Sequence, residues 1–336
     1  MIGAAGYVGS VLIDHLLTHG HQVRALDSLI WDNGRALQGL ADHPGFEFQL
    51  GDMRHRKTVD KALDGIDSVV LLAGLVGDPI TKKYPQQSAD INLGGVQTAI
   101  TATLEKGTAR LVFASTCSNY GLHDGGDFAD ESSPLSPLSL YAEQKVATEE
   151  MLMGSIEGAD TAITILRFAT AFGISPRMRV DLTISHFAKD AVNDGSIQIY
   201  DADTWRPYCH ISDLSEAVRI VLESDRELVR SEVFNVGSTE QNFTKRMIGE
   251  MVASIRPDVK LIFREGGGDA RNYRVSFEKI KRILGFHPQF LVEDHLPSLL
   301  SAMEQGIIPL DNESLKRMGN YDLPDRANFI TEENGD

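Results

Sequence analysis

The glycine run Gly3-Ala-Ala-Gly6-Tyr-Val-Gly9 restricts the fold of this chain more than any other feature. Behind it, Val8, Val11, Leu12 and Leu16 recur at helical intervals, so the run reads as a tight turn opening a helix. Backbone amides in such a turn can approach a pyrophosphate, and the helix N-terminus favours its negative charge. Asp27 lies 18 residues beyond Gly9, closing a short apolar strand over residues 21–26. A carboxylate there holds adenosine ribose hydroxyls and repels a 2′-phosphate, so NAD is expected rather than NADP. Gly3, Gly6, Tyr7, Val8 and Gly9 are the expected cofactor-binding turn. An ordinary tight turn is the plain alternative; Asp27 and the pattern that follows weigh against it.

That pattern is an alternation. Residues 46–50, 68–73, 110–115 and 162–167 are short apolar runs of the kind buried on both faces of a parallel sheet. Helical stretches near residues 57–64, 88–106 and 140–154 separate them. The fold class is therefore α/β, a doubly wound parallel sheet. Such a fold expects a strand of about five or six residues before the first glycine, and only Met1-Ile2 precedes it here. A shortened first strand and a start further upstream both remain open. From about residue 170 the rhythm turns mixed, with helices expected near 180–194, 212–224, 244–255 and 291–305. The expected organisation is a dinucleotide-binding domain over 1–170 and a smaller mixed α/β substrate domain over 171–310, some segments of which return to the first. A polar C-terminal tail is expected over 311–336.

The 32 basic and 48 acidic side chains leave a net charge of −16, which disfavours a nucleic-acid partner or an acidic membrane surface. No apolar run approaches the roughly 20 residues that span a bilayer. Cys117 and Cys209 make no disulfide framework, and a cytoplasmic location is expected. No metal site is expected.

Tyr141 and Lys145 stand four residues apart on an expected helix, so both lie on one face. The ammonium is expected to lower the phenol from its usual value near 10, giving a base for a sugar hydroxyl. Asp52 and Met53 end a strand at the same sheet edge; Asp52 equally suits a helix N-cap. Leu72-Ala73-Gly74 offers close backbone approach or a plain turn.

Together these residues resemble the extended short-chain dehydrogenase/reductases, specifically the NAD-dependent nucleotide-sugar epimerase/dehydratase family with its Rossmann domain. The matching pieces are GAAGYVGS, Asp27, Gly51-Asp52-Met53, LAGL at 72–75, Asn92, ASTCSNYG at 114–121, YAEQK, LRFATAFG at 166–173 and RPYCHISDL at 206–214. The resemblance places Asp52, Met53, Leu72, Ala73, Gly74, Asn92 and Ser115 with Tyr141 and Lys145 around the cofactor. It makes Thr116, Tyr141 and Lys145 catalytic. It puts Thr116, Ser118, Asn119, Thr170, Arg179, Arg206 and Arg271 beside a nucleotide-sugar substrate, Arg206 and Arg271 on its diphosphate. Arg264 is a weaker candidate. Thr170 and Ser185 depart from an Asn common in relatives.

The resemblance also implies oxidation at carbon 4 of the sugar, followed by one of several branches. Dehydratases place Asp-Glu after the catalytic hydroxyl, and decarboxylases keep a Glu at the second of these positions. This chain has Cys117-Ser118, so elimination lacks its acid and base. An epimerase is expected, with a 4-ketoreductase as alternative and a non-catalytic NAD-binding sensor as a second. Relatives pair two helices into a homodimer, which Val96, Ile100, Val146 and Met151 would supply here.

Overall fold

The computed structural model describes residues 1–123, 126–156, 159–267 and 270–324. It opens with helix α1 (Tyr7–Thr18), strand β1 (Val23–Asp27), a 3-10 helix (Asn33–Leu40), β2 (Phe46–Leu50), α2 (Arg56–Ala62) and β3 (Ser68–Leu71). Then come α3 (Asp78–Lys83), α4 (Pro85–Ala89), a π-helical stretch (Asp90–Gly95), α5 (Val96–Glu105), β4 (Arg110–Thr116), α6 (Leu140–Gly154) and β5 (Ala162–Phe168). Beyond lie β6 (Thr170–Phe172), α7 (Thr183–Asp194), β7 (Ser196–Tyr200), β8 (Trp205–His210), α8 (Ile211–Glu223), α9 (Arg226–Val229) and β9 (Glu232–Val236). β10 (Asn242–Thr244), α10 (Lys245–Ile255), β11 (Lys260–Arg264), α11 (Glu278–Leu284), α12 (Val292–Glu304) and α13 (Asn312–Arg317) complete the chain.

β1 pairs with β2, and β3, β4, β5 and β9 pair in that order, all parallel. Met1 and Ile2 join the two sets. Ile2 N donates to Val70 O at 2.9 Å and Ile2 O accepts from Leu72 N at 2.9 Å. On the other side Leu26 N donates to Met1 O at 2.8 Å and Gly3 N to Leu26 O at 2.9 Å. Met1 and Ile2 thus bridge β1 and β3 as a short stub, and the sheet runs β2-β1-stub-β3-β4-β5-β9. Strand order reverses at that stub, which is where doubly wound sheets open a crevice at their carboxyl edge.

Alternate strand residues face opposite sides and both sides are buried, as unbroken apolar runs require. Val70, Val112 and Leu166 pack with Leu12 and Leu16 of α1 and Leu214 and Val218 of α8. Leu71, Phe113 and Ile165 pack with Val59 of α2 and Ile100 of α5. A second lobe holds the β10-β8-β6 and β11-β7 sheets, with Ile184, Phe187, Ile248, Val252 and Leu296 of α7, α10 and α12 in its core. β9 and these short strands carry no unbroken apolar run, which is why sequence reading passed over them.

Two expectations need correcting here. Val96 and Ile100 are each 2% exposed inside the chain's own core, so these two cannot supply a dimer stripe, whereas Val146 and Met151 are partly exposed. Residues 311–324 are not a loose tail, because Leu315 and Met318 pack against the second core. Residues 325–336 lie outside the described residues.

Candidate active site

A cleft of about 660 Å³ opens over the carboxyl edge of the sheet. Its floor is the glycine turn. Gly3 has φ +83°, and a Cβ there would stand 2.5 Å from Ala73 N; one on Gly9 would lie 2.6 Å from the carbonyl oxygens of Gly3 and Ala4. Only glycine permits that approach. α1 begins after Gly6 with no side-chain cap, so its leading amides remain for an anion. Tyr7 and Val8 line the same floor, and Tyr7 Oη donates to Gly173 O at 2.7 Å.

Asp27 ends β1 at the cleft wall. Its Oδ2 accepts from Ala5 N at 2.9 Å and its Oδ1 from Leu29 N at 2.8 Å. Burial raises this carboxyl above its usual range, against the pull of those two amides. Arg177, which no sequence signal singled out, shares the wall. It lies 5.6 Å from the Trp31 ring centroid, and burial lowers its guanidinium to about 10. Asp52 and Met53 line the cleft, but Asp52 does not cap α2: its carboxylate meets the Arg54 guanidinium at 2.8 Å. Leu72, Ala73 and Gly74 also line it. Asn92 does not. It is 7% exposed behind Gly74, accepts from Leu75 N at 2.7 Å, and donates to Leu75 O at 3.0 Å and to Gln144 Oε1 at 2.8 Å.

β4 ends at Thr116, whose Oγ1 accepts from Ser118 N at 3.1 Å. Ser139 caps α6 by accepting from Ala142 N at 3.3 Å, and Tyr141 and Lys145 rise from the next two turns. All three residues line the cleft. Lys145 Nζ donates to Ala114 O at 2.7 Å and lies 6.0 Å from the Tyr141 ring centroid. Burial lowers its amino group to about 8, with Glu149 opposing. The Tyr141 phenol is raised, by burial first and then by Asp78, while Arg179 and Arg271 pull it down. This reverses the downward shift expected from Lys145, because burial outweighs the cations around the phenol.

Beneath these groups lies a buried ion pair. Arg167 Nη2 meets Glu149 Oε2 at 2.6 Å, with side chains 7% and 6% exposed. Ser115 Oγ donates to Glu149 Oε1 while Ser115 itself faces the cleft. Asn119 was expected to meet substrate but is fully buried in this network, donating to Glu149 Oε1 at 2.8 Å.

Toward the second lobe, Ser118 Oγ lies 3.2 Å from Tyr273 Oη and accepts from Arg271 at 3.3 Å. Arg271 Nη2 meets Asp78 Oδ2 at 2.7 Å. Arg206 Nη1 donates to Arg271 O at 2.6 Å, its guanidinium 5.1 Å from the Tyr273 ring centroid. Arg179 forms a two-pronged pair with Asp181, at 2.7 and 2.5 Å. Thr170, Ser118, Arg179, Arg206 and Arg271 all line the cleft; Arg264 is exposed on β11 and does not. Cys117 is 1% exposed with its thiol pushed well up by burial. Its Sγ donates to Arg167 O at 3.2 Å, which removes it from acid–base work.

Fold and cleft define a dinucleotide-dependent enzyme class. Residues 1–237 match the family model described as the NAD dependent epimerase/dehydratase family. The chain is 30% identical over 301 residues to the low-salt glycan biosynthesis protein Agl12 of Haloferax volcanii, covering 88% of this chain and 94% of that one. It is 28% identical over 323 residues to a UDP-glucose 4-epimerase of Halalkalibacterium halodurans, covering 90% and 92%. The solved structure of MoeE5 in complex with UDP-glucuronic acid and NAD superposes with a TM-score of 0.77 at 26% identity, covering 89% and 96%. This chain belongs to the NAD-dependent epimerase/dehydratase family, and its cofactor is NAD.

Proposed function

We propose that this protein is an NAD-dependent nucleotide-sugar 4-epimerase working through a 4-keto sugar. One observation carries the reading: Thr116, Tyr141 and Lys145 share the cleft with the glycine turn, while positions 117 and 118 hold no carboxylate. The relative named UDP-glucose 4-epimerase agrees with it.

The cradle fits NAD: a Cβ on Gly3 or Gly9 would fill it, the leading amides of α1 have no side-chain cap, and Asp27 stands at the ribose wall. When bound, NAD supplies a hydride acceptor that can return the hydride. The chain's own groups handle the proton and the phosphates. Tyr141 takes the proton from the carbon-4 hydroxyl and gives it back to that same oxygen once the sugar has turned its other face toward the hydride donor. Its raised phenol needs help to ionise, and the cations bearing on it are Arg179 and Arg271, with the Lys145 ammonium 6.0 Å from the ring. Thr116 relays that proton. Arg206 and Arg271 present guanidinium forks suited to a diphosphate. Elimination of water needs a further acid and base, yet the Asp78 and Asp181 carboxylates that line the cleft are engaged, by Arg271 and Arg179.

Incubation with a panel of nucleotide sugars and no added reductant tests this. Product of unchanged mass but altered retention supports inversion. Loss of water, or turnover only with added reductant, would return the dehydratase or the ketoreductase.

A further inference from the structure

Residues 318–322 run back over the cleft that holds the glycine turn. α13 is capped by Asp311, which accepts from Glu313 N at 3.1 Å and Ser314 N at 3.0 Å. The chain then turns inward, and Met318 O accepts from Val180 N at 2.8 Å. Asn320, 8% exposed, uses both ends of its amide. Its Oδ1 accepts from Arg177 Nη2 at 2.8 Å, and its Nδ2 donates to Val76 O at 2.9 Å. Val76 belongs to the loop leaving β3; Arg177 belongs to the segment leaving β6, next to Trp31 and Asp27. The two segments also meet where Arg179 Nη2 donates to Val76 O at 3.4 Å, and Asn320 and Tyr321 line the cleft with them. At the surface the Asp322 carboxylate meets Lys83 Nζ and accepts from Tyr84 Oη at 3.1 Å.

We propose that residues 318–322 are a strap that keeps NAD resident in the cleft, with Asn320 the positioning residue that fastens it to the Val76 loop and to Arg177. A small buried amide bonded at both ends is costly to release, because each freed partner loses a hydrogen bond inside the protein. The Lys83–Asp322 pair, 52% and 68% exposed, is a weak outer latch that salt screens. Entry and exit of the dinucleotide thus require the inner tie to open. Resident cofactor is what an epimerase needs, since each turnover regenerates oxidised NAD; a reductase must exchange it. The inference rests on the reading of the cleft as an NAD site.

Release of radiolabelled NAD from the loaded full-length protein into excess unlabelled NAD is the test, on wild type, Asn320→Ala and Asp322→Ala. Asn320→Ala loses both of its buried hydrogen bonds and is expected to release NAD at least about tenfold faster, the equivalent of one of them. Wild-type release is expected to quicken with salt, and Asp322→Ala to release faster at low salt and lose that response. The NAD-free melting temperature of Asp322→Ala should match wild type, so this surface variant decides the matter even if Asn320→Ala folds poorly. Bound NAD released at the same rate and salt dependence from wild type and Asp322→Ala overturns the strap alone. Wild-type protein that binds no NAD overturns the reading of the cleft as well.

Discussion

Tyr141 carries the chemistry proposed here, and its environment makes a specific demand. Burial raises its phenol, so ionisation depends on nearby cations and on the proton relay rather than on an already acidic hydroxyl. Tyr141→Phe removes the one acid–base atom and is expected to lower kcat by about 10²–10⁴-fold with NAD still bound, read from steady-state rates and from cofactor released on denaturation. Retained turnover would remove Tyr141 from that role. Burial pushes the Lys145 ammonium down to about 8, so its charge is lost as pH rises through that value. An alkaline fall in kcat near pH 8 is expected, and a profile flat through it would separate Lys145 from the reacting centre. The glycines, Asp27 and the Tyr/Lys pair were legible because local spacing encodes them. Arg177, Asp78 and Asp181 were not, because they matter only through contacts between segments distant in sequence. The sign of the Tyr141 shift was misread for a related reason, since burial is a property of the assembled cleft.

At the scale of elements, two buried polar clamps hold the site. Asn92 sits in the π-helical stretch Asp90–Gly95, and such widened turns recur at functional positions. From there it grips both backbone groups of Leu75 and the Gln144 side chain of α6. Asn92→Leu leaves these partners unmet and is expected to cost about 2 kcal/mol or more in denaturant unfolding; a loss near zero would mean the clamp is ornamental. Under α6, Glu149→Gln uncovers the charge of Arg167 and is expected to cost about 3–5 kcal/mol, more than replacing both partners by apolar residues of similar volume. Comparable losses in the single and double variants would contradict an uncompensated charge as the cause. The buried strands and the helix α6 were readable from unbroken apolar runs and helical spacing. The three-residue strands β6 and β10 were not, being too short to establish a period, and β9 was not because Glu232 and Asn235 interrupt its apolar residues.

Across the whole molecule, acid stability turns on an aromatic cluster of the second lobe, where His210 and His295 meet edge-on with rings 5.0 Å apart and Phe290 stacks on His210. Burial lowers both imidazoles from 6.5 to about 4. In that window the unfolded chain binds protons that the folded chain refuses, so stability falls as pH drops from 6.5 toward 4. Thermal unfolding is expected to show a smaller acid loss in His295→Phe, and an unchanged loss would place the acid sensitivity elsewhere. The C-terminal segment was read as a polar tail because its composition is polar; its anchoring through Asn320 depends on two bonds that composition cannot signal. The proposed chemistry as a whole is tested most directly by one measurement: the fate of deuterium placed at carbon 4 of a nucleotide sugar that the enzyme turns over without added reductant. An inverted product that keeps the deuterium at carbon 4 is predicted. Label washed into solvent, or a product lighter by a water molecule, would contradict it.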